Sequence, residues 1–189
     1  MPGALWGTGT MSFREMKSMK NIVLIGMPGA GKSTIGVVLA KILGYQFMDS
    51  DLLIQKQEGK VLHELISLYG IEGFIAIENQ VNRDIHVQDH VIATGGSVVY
   101  GSEAMEALGK DGLIVYIQLS YETLKKRLGD LNKRGVVIRK GSSLLDLYHE
   151  RCPLYEKYAD LTVNVDGLTI EGAIERIRQA VSRALEGEV

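Results

Sequence analysis

Cysteine is almost absent from this chain: Cys152 is the only one in 189 residues, so no internal disulfide can form and a reducing compartment is the expected setting. Cys152 has no companion set for nucleophilic chemistry and reads as a small, buried or half-buried hydrophobe. No run of about 18 apolar residues occurs, which excludes a spanning helix, and the N-terminus lacks the unbroken apolar stretch of a secretory signal. Neither sign of charge dominates. With 21 Lys and Arg against 23 Asp and Glu, the formal net charge of −2 gives no electrostatic case for nucleic acid or an anionic membrane, and a small ligand is expected instead. The four histidines show no metal-ligand spacing and are expected at surface or partly buried neutral positions. No internal repeat or low-complexity tract is visible. What remains is a chain of 46% hydrophobic residues, long enough for one domain with a sizeable core.

Within it one stretch is rich in glycine and lies where chemistry is expected. Ile22-Val23-Leu24-Ile25 is a strand-like apolar run, Gly26-Met27-Pro28-Gly29-Ala30-Gly31-Lys32-Ser33-Thr34 follows it, and a helical pattern runs on to Leu43. The spacing G-x-x-x-x-G-K-S is that of a phosphate-binding loop. Its glycines let successive backbone N–H groups point inward at phosphate oxygens, Lys32 supplies a positive charge at the β- and γ-phosphates, and the Ser33 hydroxyl is placed to ligate Mg²⁺. The helix N-terminus adds its partial positive charge at the same spot. The loop alone leaves the fate of the phosphate open, because kinases, NTPases and switches share it.

Residues Met1 to Lys20 carry four methionines and no steady periodicity; they read as a flexible N-terminal extension (1–20) that holds Trp6 outside the core, with Met19 a natural alternative start. The domain proper is 21–189. Gly44 ends the first helix, Gln46-Phe47-Met48 forms a short strand running into Asp49-Ser50-Asp51, and a helical stretch covers Leu52 to Gln57. The periodicity predicts separate helices over Val61 to Tyr69 and from Phe74 to about Gln88, punctuated by Gly70 and Gly73. Val91 to Thr94 is a buried strand ending in Gly95-Gly96-Ser97, Ala104 to Leu108 a helix, Leu113 to Leu119 a strand, and Glu122 to Leu128 a helix capped by Ser120. Asp130 to Ser142 is basic and aperiodic, a mobile lid of about 130–142. Ser143 to Tyr158 is helical, Leu161 to Val165 the last strand, and Ile170 to Leu185 a closing amphipathic helix. Such alternation argues an α/β fold with a parallel sheet covered on both faces, whose ligand lies beyond the carboxyl ends of the strands.

The residues at those ends carry the chemistry. Of the aspartate pair, Asp49 can hold Mg²⁺ directly or through water, and Asp51 can accept a proton or hydrogen bond from an attacking hydroxyl. Asp49 or Ser50 can equally serve as a helix N-cap. Gly95 and Gly96 offer bare backbone to a closely approaching ligand, or simply end a strand. Arg134, in the basic loop, can swing in to neutralise charge on a transferring phosphoryl group. Arg151 can pair with an anionic substrate group or form an ordinary salt bridge.

Together these motifs resemble the shikimate kinases. The phosphate loop, Phe47-Met48-Asp49-Ser50-Asp51, the Phe74 to Glu78 segment, Thr94-Gly95-Gly96, a lid arginine and Arg151-Cys152-Pro153-Leu154-Tyr155 occur in that family's order, from about Asn21 to Ala180. The resemblance implies a three-layer α/β/α P-loop kinase fold, with a five-stranded parallel sheet and a mobile lid. It also implies ATP-dependent phosphorylation of shikimate at the 3-position in the cytoplasm, with ATP and Mg²⁺ as cofactors. A small-molecule substrate, no nucleic-acid or membrane partner, and a monomer are expected. By the same resemblance Lys32, Asp51 and Arg134 are catalytic, and Gly29, Ala30, Gly31, Lys32, Ser33, Thr34, Arg127 and Arg134 bind ATP, with Arg127 at the adenine. Asp51, Gly95, Gly96 and Arg151 bind the acceptor, Arg151 at its carboxylate, and Ser33 and Asp49 hold the metal.

Three departures fall on the acceptor and lid. Ile75 stands where the family has an arginine in Phe-Arg-x-x-Glu, Ser97 replaces a third glycine, and Gly135-Val136-Val137 follows Arg134 in place of Pro-Leu-Leu. The nucleotide machinery is whole while the acceptor pocket is altered. The competing expectations are therefore a related kinase for another hydroxyl compound, or a nucleotide-binding pseudokinase. A kinase for a second nucleotide fits less well, because the acceptor side lacks an arginine-rich set.

Overall fold

The computed structural model describes residues 21–128 and 141–186. The expected N-terminal extension, Trp6, Arg134 and nearly all of the expected lid lie outside the described residues. Five strands form one parallel sheet in the order β2-β3-β1-β4-β5, with β1 at Asn21–Ile25, β2 at Gln46–Asp49, β3 at His90–Ala93, β4 at Gly112–Gln118 and β5 at Leu161–Asn164. Every residue of β1 is buried, which accounts for its unbroken apolar run: a central parallel strand is covered on both faces.

Helices α1 (Lys32–Leu43), α2 (Ser50–Glu58), α3 (Leu62–Arg83), α4 (Ser102–Asp111), α5 (Tyr121–Leu128), α6 (Leu144–Tyr158) and α7 (Ile170–Glu186) complete the described fold. Helix α1 packs on β1, β2 and β3 and on α7, while α4 packs on β1 and β4 and against α3. The main core runs between these layers, joining Leu24, Val115 and Tyr116 of the sheet to Leu39, Met105 and Ile177 of the helices. A second cluster, Ile54, Leu65, Phe74 and Val81, ties α2 to α3. It supports the part of the molecule that carries Asp51 and Glu78.

Beginning at β1, the chain first builds one side of the sheet with β2 and β3, then crosses to the other side for β4 and β5. The carboxyl end of β1 therefore lies where the winding reverses, the place at which open α/β sheets bind ligands. The phosphate loop leaves from that point.

Helix α3 follows the sequence expectation in its middle and departs from it at its end. The segments predicted as two helices meet at a break, where Gly70 takes the non-helical φ 69° and ψ −179°, a conformation glycine adopts at little cost. Helix α3 then stops at Arg83, well before Gln88. Ile85 and Val87 alternate with exposed residues and pack on the core from a segment that is neither helix nor strand. Asn21 pins that segment, its Nδ2 donating to the Val87 carbonyl at 2.7 Å and its Oδ1 accepting from the His90 N–H at 3.0 Å. The other caps follow the sequence: Gly44 and Gly59 end their helices in the left-handed region, and Ser143 forms a capping box with Asp146.

Candidate active site

The loop Gly26 to Gly31 turns from β1 into α1 with positive φ at Gly26, Gly29 and Gly31. Lys32 is the first residue of α1 and is buried; its Nζ donates to the carbonyls of Gly26 at 2.8 Å and Met27 at 3.1 Å, folded back along the loop. Burial pulls its pKa down to about 8, against the opposing pull of Asp51. Ser33 Oγ donates to Asp49 Oδ2 at 2.7 Å, which ties the loop to the end of β2.

Asp49 has both functions that the sequence left open within reach. Its Oδ1 accepts from the backbone N–H groups of Asp51 at 3.0 Å and Leu52 at 3.4 Å, so it caps α2 while its other oxygen meets Ser33. Capping aims the first turn of α2, and Asp51 with it, into a cleft. Gly31, Lys32, Ser33 and Thr34 line this cleft together with Asp51, Gly95, Gly96 and Arg151. The structure thus brings most of the expected site residues to one place.

Phe74, Glu78 and Ser97 line the same cleft; Phe74 and Glu78 do not stand among the expected site residues, whereas Ser97 is one of the departures expected at the acceptor pocket. Glu78 is 1% exposed and its pKa rises to about 7, first through burial, with the Ser97 hydroxyl opposing and Asp51 reinforcing the shift. Neither carboxylate oxygen completes a hydrogen bond within 3.5 Å, although the Ser97 hydroxyl stands close enough to favour the charged form. Asp51 is likewise pushed up to about 6 by burial and by the neighbouring Asp49. Gly95 lies between the two carboxylates: a Cβ there would collide with Glu78 Oε1 and stand 2.7 Å from Asp51 Oδ1. The sequence carries only a faint signal for Glu78: Phe74, Glu78 and Val81 share one helical face, which sets the carboxylate within an apolar stripe.

Arg151 comes from α6 and is 1% exposed. Its Nη1 lies 3.1 Å from the place a Cβ on Gly96 would take, so the guanidinium reaches the cleft beside that glycine. Tyr155, one turn on, donates from its hydroxyl to the Gly96 carbonyl at 2.6 Å and fixes the turn against α6. Thr94 holds the other end of the same turn, its Oγ1 donating to the Leu24 carbonyl of β1 at 2.9 Å. Ala30 is buried in the phosphate loop, and Gly29 packs against Leu128. Arg127 is exposed on the last turn of α5 and does not line the cleft. Cys152 is half-buried and accepts a long contact from the Tyr116 hydroxyl at 3.4 Å.

The family model described as shikimate kinase matches residues 28–182. The shikimate kinase of Thermodesulfovibrio yellowstonii is 38% identical over 173 residues, covering 90% of this chain and 99% of that protein. The chain belongs to the shikimate kinase family. A Francisella tularensis subsp. novicida shikimate kinase is 39% identical over 162 residues, spanning 84% of this chain and 92% of the relative. Among solved structures, the shikimate kinase from Acinetobacter baumannii in complex with shikimate superposes with a TM-score of 0.78 at 29% identity, covering 93% of this chain and 97% of that one. A thymidylate kinase from Candida albicans, 14% identical with a TM-score of 0.54 over 88% of this chain and 92% of its own, shares the fold alone.

Against this family the position of Ile75 gains meaning. It is half-buried and lines a small cavity with Tyr100 and Arg151. An apolar side chain therefore adjoins Arg151.

Proposed function

We propose that this protein transfers the γ-phosphoryl group of ATP to the 3-hydroxyl of shikimate, a step of aromatic amino acid biosynthesis. The observation that carries this reading is the juxtaposition, in one cleft, of the phosphate loop with Asp51, Glu78 and Arg151. A nucleotide binder alone does not need buried carboxylates and a buried guanidinium facing its phosphate loop. The A. baumannii relative, which shares the fold over nearly its whole length, was solved with shikimate bound.

In this reading Gly29 to Thr34 bind the phosphates, and Lys32 meets the charge that develops on the transferred group. Arg134 joins it from the lid, and Arg127 lies against the adenine. Asp51 orients the acceptor hydroxyl and takes up its proton, Gly95 and Gly96 let the ring approach, and Arg151 pairs with its carboxylate. Ser33 and Asp49 offer a hydroxyl and a carboxylate side by side, hard oxygen donors that fit Mg²⁺. When bound, that ion supplies positive charge to the β- and γ-phosphate oxygens.

No helix among the described residues is long and apolar enough to cross a membrane. Both substrates are small polar metabolites, and we place the reaction in the cytoplasm, on a monomer. Ile75 favours one second reading, a hydroxyl acceptor whose anionic group is smaller or differently placed. Mass spectrometry of the product formed from shikimate and Mg-ATP distinguishes the two: shikimate 3-phosphate supports the first, and unchanged shikimate supports the second.

A further inference from the structure

We infer that Tyr100 is a positioning residue for the acceptor, acting through Arg151, an inference that rests on reading the cleft as the site of shikimate phosphorylation. Tyr100 ends the single helical turn Val98–Tyr100 that follows Gly95-Gly96-Ser97, and it is half-buried. Its hydroxyl accepts a hydrogen bond from Arg151 Nε at 3.1 Å and donates one to Glu150 Oε1 at 2.9 Å. The Arg151 guanidinium carbon also stands 5.1 Å from the centroid of its ring.

Each contact restrains a different freedom of the arginine. The Nε bond fixes rotation about the end of the side chain, and the ring holds the guanidinium plane from one side. Because Nε is the inner nitrogen of the group, anchoring it directs the terminal nitrogens to the other side, where Nη1 lies beside Gly96. A carboxylate in place of the phenol would neutralise Arg151 and weaken its attraction for an anion. A phenol anchors the cation and leaves its charge intact, while Glu150 polarises the hydroxyl so that it accepts more strongly.

The surroundings make this anchoring consequential. Among the described residues lining the cleft, the cations are Lys32 and Arg151, and Lys32 belongs to the phosphate loop. Ile71, Ile75 and Leu147 wall the small cavity shared by Tyr100 and Arg151, so no second guanidinium from α3 reinforces the first. With one arginine among the described residues on that side, pre-ordering it lowers the entropic cost of gripping a carboxylate.

Tyr100→Phe keeps the ring and removes the hydroxyl. It is expected to raise KM for shikimate about five- to tenfold, the size of a weakened charge-assisted hydrogen bond, while kcat and KM for Mg-ATP change by less than about twofold. In an Arg151→Lys background, which has no guanidinium Nε–H, the same change is expected to add less than about twofold. A second readout is independent of turnover. The Nε–H correlation of Arg151 in a ¹H–¹⁵N NMR spectrum, assigned by its loss in Arg151→Lys, is expected to shift in Tyr100→Phe. An unchanged KM for shikimate, an equal effect in both backgrounds, or an unmoved Nε–H signal would overturn the inference. If the unmodified protein fails to phosphorylate shikimate, the substrate reading falls, and the Nε–H signal still decides the role of Tyr100: a shift upholds the anchoring contact and an unmoved signal removes it.

Discussion

Ser33 Oγ and Asp49 Oδ2 lie 2.7 Å apart, joining the phosphate loop to the second strand, while the other oxygen of Asp49 caps α2. One carboxylate thus has a structural edge and a face toward the proposed metal. Asp49→Asn separates them, because asparagine caps a helix about as well as aspartate but carries no charge. The expected outcome is a melting temperature near that of the unmodified protein, with at least a tenfold rise in the Mg²⁺ concentration needed for half-maximal activity. Asp49→Ala loses both functions and is expected to cost about 1 kcal/mol of stability as well. Thermal melts and Mg²⁺ titrations of the two variants check the division.

Lys32 and Asp51 line the same cleft, close enough for their charges to interact. Removing the ammonium in Lys32→Ala is expected to lower kcat by about a hundredfold or more, as for a lost preorganised donor at a developing charge. Asp51→Asn is expected to fall at least as far, since an amide cannot take up the acceptor proton. Circular dichroism should be unchanged in both. Substantial turnover by either folded variant contradicts the roles given to these residues.

Glu78 links the cleft to pH-dependent stability. Burial raises its folded pKa from 4.5 to about 7, with Ser97, Arg151 and Lys32 opposing the rise and Asp51 adding to it. A raised carboxyl pKa means that the folded state holds a proton the unfolded chain releases. The associated stability is complete below about pH 4.5 and is lost as pH rises through about 7. Glu78→Gln cannot ionise and escapes that loss. Its melting temperature relative to the unmodified protein is therefore expected to climb between pH 5 and pH 8, as scanning calorimetry at the two values would show; a constant difference would mean that Glu78 does not titrate in this window.

Much of this architecture is legible in the sequence because punctuation and chemistry coincide at the strand ends. Gly26, Asp49 and Gly95 each follow or close a strand, and the sheet order then gathers them at one edge. Three features are less accessible for physical reasons. The end of α3 is obscured because Ile85 and Val87 satisfy a loose apolar count, whereas they belong to a non-helical segment held by Asn21 of β1. Glu78 resembles the charged residues of any amphipathic helix until the second core cluster turns Phe74 and Val81 inward and carries it along. The contact of Tyr100 with Arg151 spans 51 positions and depends on how α6 packs over the turn after β3. Ile75 shows the converse: its departure from the family pattern is plain in the sequence, and its proximity to Arg151 emerges only from the fold.

The most direct test is the rate of ADP release from Mg-ATP by the purified protein, with and without millimolar shikimate. Pairing of Arg151 with the carboxylate predicts a strong shikimate-dependent rate, with KM raised about ten- to a hundredfold by loss of the guanidinium in Arg151→Ala. ATP binding without any stimulation by shikimate would contradict the account, and would mean that the pocket beside Ile75 has been fitted to a different hydroxyl compound.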